Sequence, residues 1–415
     1  QIPNKQYFMK TAEKILDNNS DKSYLLTSLD ARNFKLINER FGHIVGDQTL
    51  MNIAKNIKSK FHKNGLYARS QGDSFLILVE DTSQNRELLK SLVDLDISIH
   101  NTTNYKVPLK IGVCPIPRYN PALSLSLYID RANIAKKYTS ARNTNYICYF
   151  TDDMNKKLNM KNMIESEMVR ALSKSEFVVY YQPKYELTND TIIGAEALVR
   201  WNHKEKGIIS PGVFIPVFER NGFIVDLDFY VYEQVLKMQK HRLDMGKKVI
   251  PISMNVSRCH LSDTNFVDKL EAVVAKYKVP KQYIEMEITE SIFSQEDSSA
   301  IALIYNLKEH GFTISMDDFG SGYSSLNLLR KVQIDTLKID KVFIDSTEDV
   351  QRSQVIVEEI INMASKIHVK TICEGVETQS QRDFLKNAGC NMVQGYFYSK
   401  PLPYEDFSDL LNSSK

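Results

Sequence analysis

Acidic and amide side chains at the ends of short apolar runs constrain the fold of this chain more than any other feature. The runs are IIGA, PISM, YIEM, FTISM, DTL, KTIC and NMV, and the residues that follow them are Glu196, Asn255, Glu287, Asp317, Asp318, Lys338, Glu374 and Gln394. The runs are separated by stretches long enough for a crossover helix, which predicts repeated strand, helix, strand units and a parallel sheet. In a closed barrel of such units the strand ends converge on one face, where metal and substrate sites form. The sequence therefore predicts that these scattered side chains meet in space.

The chain is too long for one hydrophobic core. It has 415 residues, whereas single domains rarely exceed about 250–300 residues. The first half mixes β-type runs such as YLLTSLDA, SFLILVE and KVPLKIGVCPI with helical periodicity, and the charged stretch 152–172 has Leu, Met and Ile at helical spacing. We therefore expect a mixed α/β domain over residues 1–152, a connecting helix over 153–163, and an eightfold β/α barrel over 164–415.

Composition excludes several classes of protein. A net charge of +2, with 43% hydrophobic and 25% charged residues, gives no bias toward a nucleic-acid polymer or an anionic membrane. The five cysteines form no CxxC pair, so neither disulfides nor a thiolate zinc site are expected. No apolar run approaches the roughly 18–20 residues that span a bilayer, and the start lacks the order of a signal peptide. We expect a cytoplasmic protein, or the cytoplasmic part of a larger one with a membrane anchor or sensor, and no membrane contact from this segment.

The predicted cluster of carboxylates and amides points to metal-assisted chemistry. Such acidic groups repel one another unless cations lie between them, and oxygen ligands suit Mg²⁺ or Mn²⁺ better than zinc. Two ions roughly 3.5–4 Å apart can activate a water and neutralise charge on a phosphate, while Lys338 would add a fixed positive charge and Arg200 would hold a phosphate. Any one of these carboxylates alone is more often a helix cap or a surface ion-pair partner than a metal ligand. Seven coincident strand ends favour phosphodiester hydrolysis.

The second half contains a series of distinctive short motifs. They are EALVRW at 196–201, YQP at 181–183, SPGVFIPVFERNGFI at 210–224, NVS at 255–257, EITES at 287–291, DDFGSGYSSL at 317–326, LKID at 337–340, EGVET at 374–378 and QGY at 394–396. Together they resemble the EAL family of cyclic di-GMP phosphodiesterases, which is named after the first three letters of EALVRW. The resemblance implies a (β/α)8 barrel of the TIM type that opens cyclic di-GMP to linear pGpG with two Mg²⁺ or Mn²⁺ ions.

The resemblance also assigns roles by position. One metal would be bound by Glu196, Asn255, Glu287 and Asp317, and the second would be reached by Asp317 and Asp318. Lys338 would sit beside the attacking water, Glu374 would be the general base or a water-mediated metal partner, Gln394 would order the metal-bound water, and Gln182 and Arg200 would hold substrate. Glu290 would anchor the loop DDFGSGYSSL, which commonly links metal binding to dimerisation and has backbone freedom at Gly320 and Gly322. The resemblance thus implies a competent enzyme that forms a homodimer.

The pattern SLDARNFKLINERFGHIVGDQTL, followed by ARSQGDSFLILVE, in the first half of the chain resembles the GGDEF diguanylate cyclase domain, with departures at its site. QGDSF at 71–75 stands at the name motif, so that Gln71 replaces a glycine and Ser74 an acid, and Arg32 stands where an acid is usual. HKNG at 62–65 cannot supply the family's product-inhibition motif RxxD. Other binding positions are kept: Asp30 and Asp73 could hold one Mg²⁺, Asn38 and Asp47 match guanine contacts, and Lys136 matches the ALYxAK helix. We predict a domain without cyclase activity that binds GTP and regulates its neighbour; the alternative is a scaffold with an empty pocket.

Three functions remain to be compared. The first is a cyclic di-GMP hydrolase regulated by a degenerate cyclase-like domain. The second is a receptor that holds cyclic di-GMP without cleaving it and signals to a protein partner, but receptors of this descent usually lose metal ligands or the lysine, which this chain keeps. The third, a bifunctional synthase and hydrolase, is disfavoured by QGDSF. Periodicity in the connecting helix also suggests a seam with a second copy.

Overall fold

The computed structural model describes residues 2–99, 103–139, 146–293, 298–320, 325–344 and 350–413. The chain divides into two compact units, Gln1–Asn162 and Met163–Lys415. Each unit has its own hydrophobic core. Among the described residues, no helix is long and apolar enough to cross a membrane.

The first unit is a mixed sheet covered by helices. Its helices are α1 (Lys5–Asn18), α2 (Phe34–Phe41), α3 (His43–Phe61), α4 (Ser83–Lys90) and α5 (Leu125–Lys137). Its strands are β1 (Tyr24–Ala31), β2 (Gly65–Gln71), β3 (Ser74–Glu80), β4 (Asp94–Ile99), β5 (Thr103–Ile116) and β6 (Ile147–Tyr149). The order is β2-β3-β1-β5-β4 with antiparallel pairing, and β6 pairs with β5 in parallel.

Both faces of this sheet are buried around β1 and β3, which explains why these two strands are largely apolar without alternation. Leu25 of β1 belongs to the core on one face, together with Ile53 of α3, whereas Leu26 belongs to the core on the other face, with Phe8 of α1 and Ile129 of α5. The predicted runs YLLTSLDA and SFLILVE coincide with β1 and β3, and KVPLKIGVCPI lies within β5.

The second unit is a barrel, preceded by a long helix. The helices are α6 (Asp152–Ser173), α7 (Pro211–Asn221), α8 (Ile224–Asp244), α9 (Phe266–Tyr277), α10 (Ser298–Glu309), α11 (Ser325–Lys331), α12 (Val350–Lys366), α13 (Gln379–Asn387) and α14 (Tyr404–Ser413). The strands are β7 (Phe177–Glu186), β8 (Thr191–His203), β9 (Gly207–Ile209), β10 (Ile252–Asn255), β11 (Ile284–Thr289), β12 (Thr313–Phe319), β13 (Thr336–Ile339), β14 (Lys370–Cys373) and β15 (Met392–Val393). The division between the two units falls within α6.

The predicted eight-stranded barrel is confirmed, with one strand reversed. The order β10-β11-β12-β13-β14-β15-β7-β8 closes through pairing of β10 with β8, and β9 pairs with an extension of β8. Within the closed barrel the pairs are parallel except that β7 is antiparallel to both β15 and β8, and outside it β9 is antiparallel to β8. The expectation of uniform strand, helix, strand repeats is therefore wrong at the first step. Residues 187–190 join β7 to β8, and this connection is too short for a crossover helix.

Glu196 also departs from its expected place. It lies in the middle of β8 rather than at its end, because β8 continues to His203 and pairs there with β9. The other residues follow the prediction more closely: Asn255 ends β10, Glu374 directly follows β14 and Gln394 directly follows β15.

Candidate active site

A buried lysine lies at the centre of the acidic cluster in the barrel. Lys338 of β13 is 1% exposed, and its Nζ atom lies 2.5 Å from Glu374 Oε1, 3.0 Å from Asp317 Oδ1 and 3.5 Å from Glu196 Oε2. It also forms an ion pair with Glu287. Four carboxylates that are far apart in sequence therefore face one ammonium group. The barrel brings them together as the strand-end pattern predicts.

Amide side chains fix the orientation of Glu196. Gln394 donates from Nε2 to Glu196 Oε2 at 2.7 Å, and Asn255 donates from Nδ2 to Glu196 Oε1 at 3.4 Å. Gln394 Nε2 also lies 3.1 Å from Gln182 Oε1, while Gln182 itself donates to the carbonyl of Ser399 at 3.3 Å. Asn255, Gln394 and Gln182 thus lie in the same network as the carboxylates.

The cluster has unequal electrostatics. Burial alone would raise the pKa of the Glu196 carboxyl, but the charges of Lys338 and Lys184 and the hydrogen bonds from the two amides lower that pKa below its usual range. Burial, followed by the charges of Glu374 and Glu196, instead raises the pKa of Asp317 to about 9. One carboxylate is therefore held ionised, and its neighbour takes up a proton when no cation is present.

Asp318 occupies a distinct environment next to Asp317. Its backbone is in the left-handed region, with φ of 56°, and its amide donates to Asp317 Oδ1 at 2.9 Å. Burial, followed by the charges of Asp340 and Glu374, raises the pKa of Asp318 to about 6. The two adjacent aspartates therefore experience different fields, although both lie among acidic groups.

The donor set fits a hard divalent cation. Glu196, Glu287 and Glu374 each offer an oxygen, and these atoms all lie within 4.8 Å of one another. Glu287 is fully buried, and within the described part of the chain neither of its carboxylate oxygens has a hydrogen-bond partner. Its charge is offset only by ion pairs, with Lys338 and with Lys184 at 3.9 Å. Buried oxygens in this condition are typical ligands of Mg²⁺ or Mn²⁺.

Glu290 and Arg200 lie at the edge of this cluster. Glu290 is buried and accepts a 2.9 Å hydrogen bond at Oε2 from the amide of Gly320, which has φ of +94°. This contact joins β12 to the turn after β11. Gly322, the second glycine of the predicted loop, lies outside the described residues. Arg200 donates to the carbonyl of Val199 at 2.9 Å and lies over the ring of Tyr180, and burial lowers its pKa.

Comparison with known proteins agrees with this geometry. The family model of the EAL domain matches residues 165–401, which is more than half of the chain. The chain belongs to the EAL domain family. A second model, described as diguanylate cyclase, GGDEF domain, matches residues 1–144. The protein is thus a tandem GGDEF–EAL protein, and its EAL domain is of a metal-dependent kind.

Curated relatives share this tandem arrangement over almost all of the chain. MucR of Pseudomonas aeruginosa, a bifunctional diguanylate cyclase/cyclic di-GMP phosphodiesterase, is 28% identical over 411 residues, covering 98% of this chain and 60% of that protein. The cyclic di-GMP phosphodiesterase NbdA of the same organism is 30% identical over 397 residues, covering 94% of this chain and 50% of NbdA. The chain spans about half to three fifths of the length of these relatives.

A solved structure supports the assignment of the EAL domain. The PaMucR phosphodiesterase in complex with c-di-GMP is 32% identical and superposes with a TM-score of 0.56, covering 59% of this chain and 99% of that one.

Three polar residues next to the cluster, Lys184, Glu285 and Ser315, were not among the predicted site residues. Lys184 is 2% exposed, and its Nζ lies 3.3 Å from Glu285 Oε2, while Ser315 donates to the same Glu285 carboxylate. Lys184 lies two residues after Gln182, and Glu285 two residues before Glu287, so each shares a strand face with a predicted site residue. A polar residue two positions from a predicted site residue, within an otherwise apolar strand, is the sequence pattern that could have indicated these residues.

In the GGDEF domain, the predicted nucleotide site is partly assembled. Lys136 donates to Asp30 Oδ1 at 2.7 Å and to Ser28 Oγ at 2.9 Å. Asp73 lies in the turn between β2 and β3, where Gln71 pairs with Ser74. Burial raises the pKa of the Asp73 carboxyl, and the negative charge of Asp30 raises it further. The lysine and both predicted metal-binding aspartates therefore lie in one place.

The two predicted guanine contacts lie on neighbouring helices of the same domain. Asn38 is on α2 and Asp47 is on α3, where Asp47 is exposed. Asn38 Oδ1 is buried without a hydrogen-bond partner in the described chain. A Cβ atom on Gly46 would lie 1.9 Å from this oxygen, so the glycine leaves room for the amide.

Proposed function

We propose that the EAL domain hydrolyses cyclic di-GMP to linear pGpG with two Mg²⁺ or Mn²⁺ ions. The observation that carries the proposal is the convergence of Glu196, Glu287, Asp317 and Glu374 on the buried Lys338. Four carboxylates outnumber the two lysines near them, Lys338 and Lys184, and divalent cations neutralise such an excess of acidic groups. The names of the relatives and the c-di-GMP complex of PaMucR support cyclic di-GMP as the substrate.

We assign the metal ligands from the EAL motifs, and the closeness of the Glu196 and Glu287 oxygens supports the assignment. Glu196, Asn255, Glu287 and Asp317 would hold one ion, and Asp317 and Asp318 would hold the second. When bound, the ions supply an activated water and neutralise charge on the phosphate. Gln394 keeps the Glu196 carboxylate in place through its 2.7 Å hydrogen bond, which orients this ligand before the cation arrives.

Glu374 would act as the general base, and Lys338 would offset the negative charge that develops on the phosphate. A water molecule adds to one phosphodiester, a phosphorus–oxygen ester bond breaks, and the ring opens to a phosphate and a hydroxyl group. Glu374 accepts one proton of the water at a carboxylate oxygen, and the leaving oxygen takes up a proton from solvent to become the hydroxyl group. The 2.5 Å ion pair with Lys338 keeps the Glu374 carboxylate oriented. Lys338 also offsets negative charge as it develops on the phosphate. Arg200 and Gln182 would hold the substrate by hydrogen bonds to its polar groups.

Hydrolysis of cyclic di-GMP with Mg²⁺ or Mn²⁺, with pGpG followed by chromatography, tests this function. Wild type is expected to form product only with metal, and Glu196→Ala is expected to fall to background. Glu233→Ala is the matched control, because Glu233 pairs with Lys276 at 2.7 Å on the outer helices. If the protein binds cyclic di-GMP saturably but forms no pGpG in the presence of Mg²⁺ or Mn²⁺, it is instead a receptor that signals to a partner.

We also propose that the GGDEF domain makes no cyclic di-GMP but binds GTP and regulates the hydrolase. Gln71 and Ser74 pair across the hairpin. Gln71 stands where the cyclase family has a glycine that lets guanine approach, and Ser74 stands where the family has a carboxylate needed for catalysis. The orphan oxygen of Asn38 and the Asp30–Lys136 pair support nucleotide binding. Incubation with GTP should give no cyclic di-GMP, while GTP should change the rate of pGpG formation. Cyclic di-GMP made from GTP would refute the first statement, and an unchanged rate the second.

We further propose that the protein works as a homodimer. Helix α6 leaves Val169 65% exposed, and apolar positions at helical spacing favour a seam with a second copy. Sedimentation with substrate and metal at micromolar concentration should show a dimer. A fully active monomer under these conditions would refute the proposal.

A further inference from the structure

Asn255 lies at a strand end that the sheet holds on one side only. β10 pairs with β11 along its full length, from Ile252 to Asn255, but its register with β8 covers only Ile252 and Ser253. On the β11 side the next residue, Val256, donates its amide to the carbonyl of Glu287 at 2.8 Å. On the β8 side the ladder ends two residues before Asn255, so another group must satisfy its carbonyl.

Helix α8 supplies that group. The hydroxyl of Tyr232 donates a 2.9 Å hydrogen bond to the main-chain oxygen of Asn255, and Tyr232 is fully buried. One helical turn earlier, Asp228 Oδ2 accepts from the amide of Ser257 at 3.3 Å and from Nε2 of His260 at 2.9 Å. Residues four apart lie on one helix face, so α8 holds the chain at Asn255 and again two residues later.

Packing alone does not fix this segment. A cavity of about 250 Å³ lies beside it and is lined by Tyr232, Asn255 and Ser257 among others. Side chains next to such a space can shift at little steric cost, so directed hydrogen bonds, more than close packing, hold this part of the chain. The hydroxyl of Tyr232 therefore holds the end of β10 on the side that faces away from β11.

We propose that Tyr232 is a positioning residue for the metal site, acting through the main chain of Asn255. The proposal rests on the proposed function, in which Asn255 is a metal ligand, and Tyr232 itself contacts neither substrate nor metal. Its hydrogen bond sets the carbonyl, the carbonyl sets the end of the strand, and the strand end directs the Asn255 amide toward Glu196, 3.4 Å away. Partners of this kind usually change metal affinity by about 10–100-fold when they are removed.

The test is Tyr232→Phe, which removes the hydroxyl and keeps the ring. Tyr230→Phe is the matched control, because Tyr230 lies on the same helix and donates a 3.0 Å hydrogen bond to the carbonyl of Phe177, outside the cluster. Calorimetric titration of the metal-free proteins with Mn²⁺ should show affinity about 10–100-fold weaker for Y232F and unchanged for Y230F. At limiting Mn²⁺ the kcat of Y232F should fall and saturating Mn²⁺ should restore it, with an unchanged KM for cyclic di-GMP.

Several outcomes would overturn the proposal. If Y232F and Y230F lower the melting temperature alike and both bind Mn²⁺ like wild type, the hydroxyl only stabilises the fold. If wild type itself binds no Mn²⁺, the proposed function fails and the positioning role fails with it. The double variant of Y232F with Asn255→Ala is a second measure: positioning through Asn255 predicts no loss of Mn²⁺ affinity beyond that of Asn255→Ala alone, and an additive loss contradicts it.

Discussion

The Oε1 atom of Glu374 lies 2.5 Å from the Nζ atom of Lys338. Lys338 is in β13, and Glu374 directly follows the neighbouring strand β14. Lys338 faces three other carboxylates as well. These carboxylates outnumber the two lysines of the cluster, Lys338 and Lys184, and Asp317 takes up a proton when no cation is bound. This imbalance is the physical reason for the first two predictions.

Replacing Lys338 with Met is expected to lower kcat for cyclic di-GMP hydrolysis by about 10²–10³-fold, since a fixed charge at the developing phosphate charge is lost. The measurement is steady-state hydrolysis at saturating Mn²⁺. Lys308→Met is the control, because Lys308 lies on α10 and pairs with Asp335 at 2.8 Å, away from the cluster. A K338M enzyme as active as K308M would remove Lys338 from the mechanism.

The stability of the metal-free protein should fall as the pH rises. The folded-state pKa is raised to about 9 for Asp317 and to about 6 for Asp318, whereas an unfolded aspartate has a pKa of about 3.9. Their contribution to stability is therefore complete below about pH 4 and is lost as the pH rises through about 6 and then about 9. Melting temperatures in EDTA between about pH 5 and 9.5 should decline more steeply for wild type than for Asp317→Asn. Parallel declines would contradict this assignment.

Gly320→Ala should destabilise the barrel more than a typical glycine replacement. Gly320 has φ of +94°, and an added Cβ atom would lie 2.3 Å from the Phe343 ring, so both backbone strain and a clash are introduced. Gly207→Ala is the matched control, because Gly207 has φ of +69° with nothing within 4 Å of the new atom. Urea unfolding should show a loss of about 1–3 kcal/mol from strain in both variants, and a larger loss for G320A. Equal losses would show that the Phe343 ring moves freely.

Asn38→Ala is expected to weaken GTP binding about tenfold, the effect of losing one hydrogen bond of about 1.4 kcal/mol. The reason is the buried amide oxygen of Asn38 that has no partner in the described chain. Calorimetric titration with GTP and Mg²⁺ is the measurement, and Asn56→Ala is the control, since Asn56 donates to the carbonyl of Asn52 within α3. If wild type shows no saturable GTP binding, the domain is a scaffold.

Much of the barrel could be predicted because each apolar run delivers its next polar residue to the same face. Asn255, Glu374 and Gln394 follow that rule directly. The direction of β7 does not follow from periodicity, which is the same for both directions; only the short connection 187–190 signals it. The contact of Tyr232 could not be predicted from the sequence. It depends on the distance between a helix face and a strand end that are 23 residues apart in the chain. Sequence spacing does not specify such tertiary distances.

The reversed direction of β7 decides where the chain enters the barrel. In an all-parallel barrel the first strand would begin at the end opposite the reactive groups. Here β7 is antiparallel to β8 and β15, so Phe177 begins the strand on the side where the acidic cluster gathers, and Gln182 follows five residues later. The last turn of α6 therefore leads directly to the side of the barrel that holds the acidic cluster. A change in the direction of α6 would reach Gln182, which we propose holds substrate, through a short stretch of β-strand and without crossing the barrel.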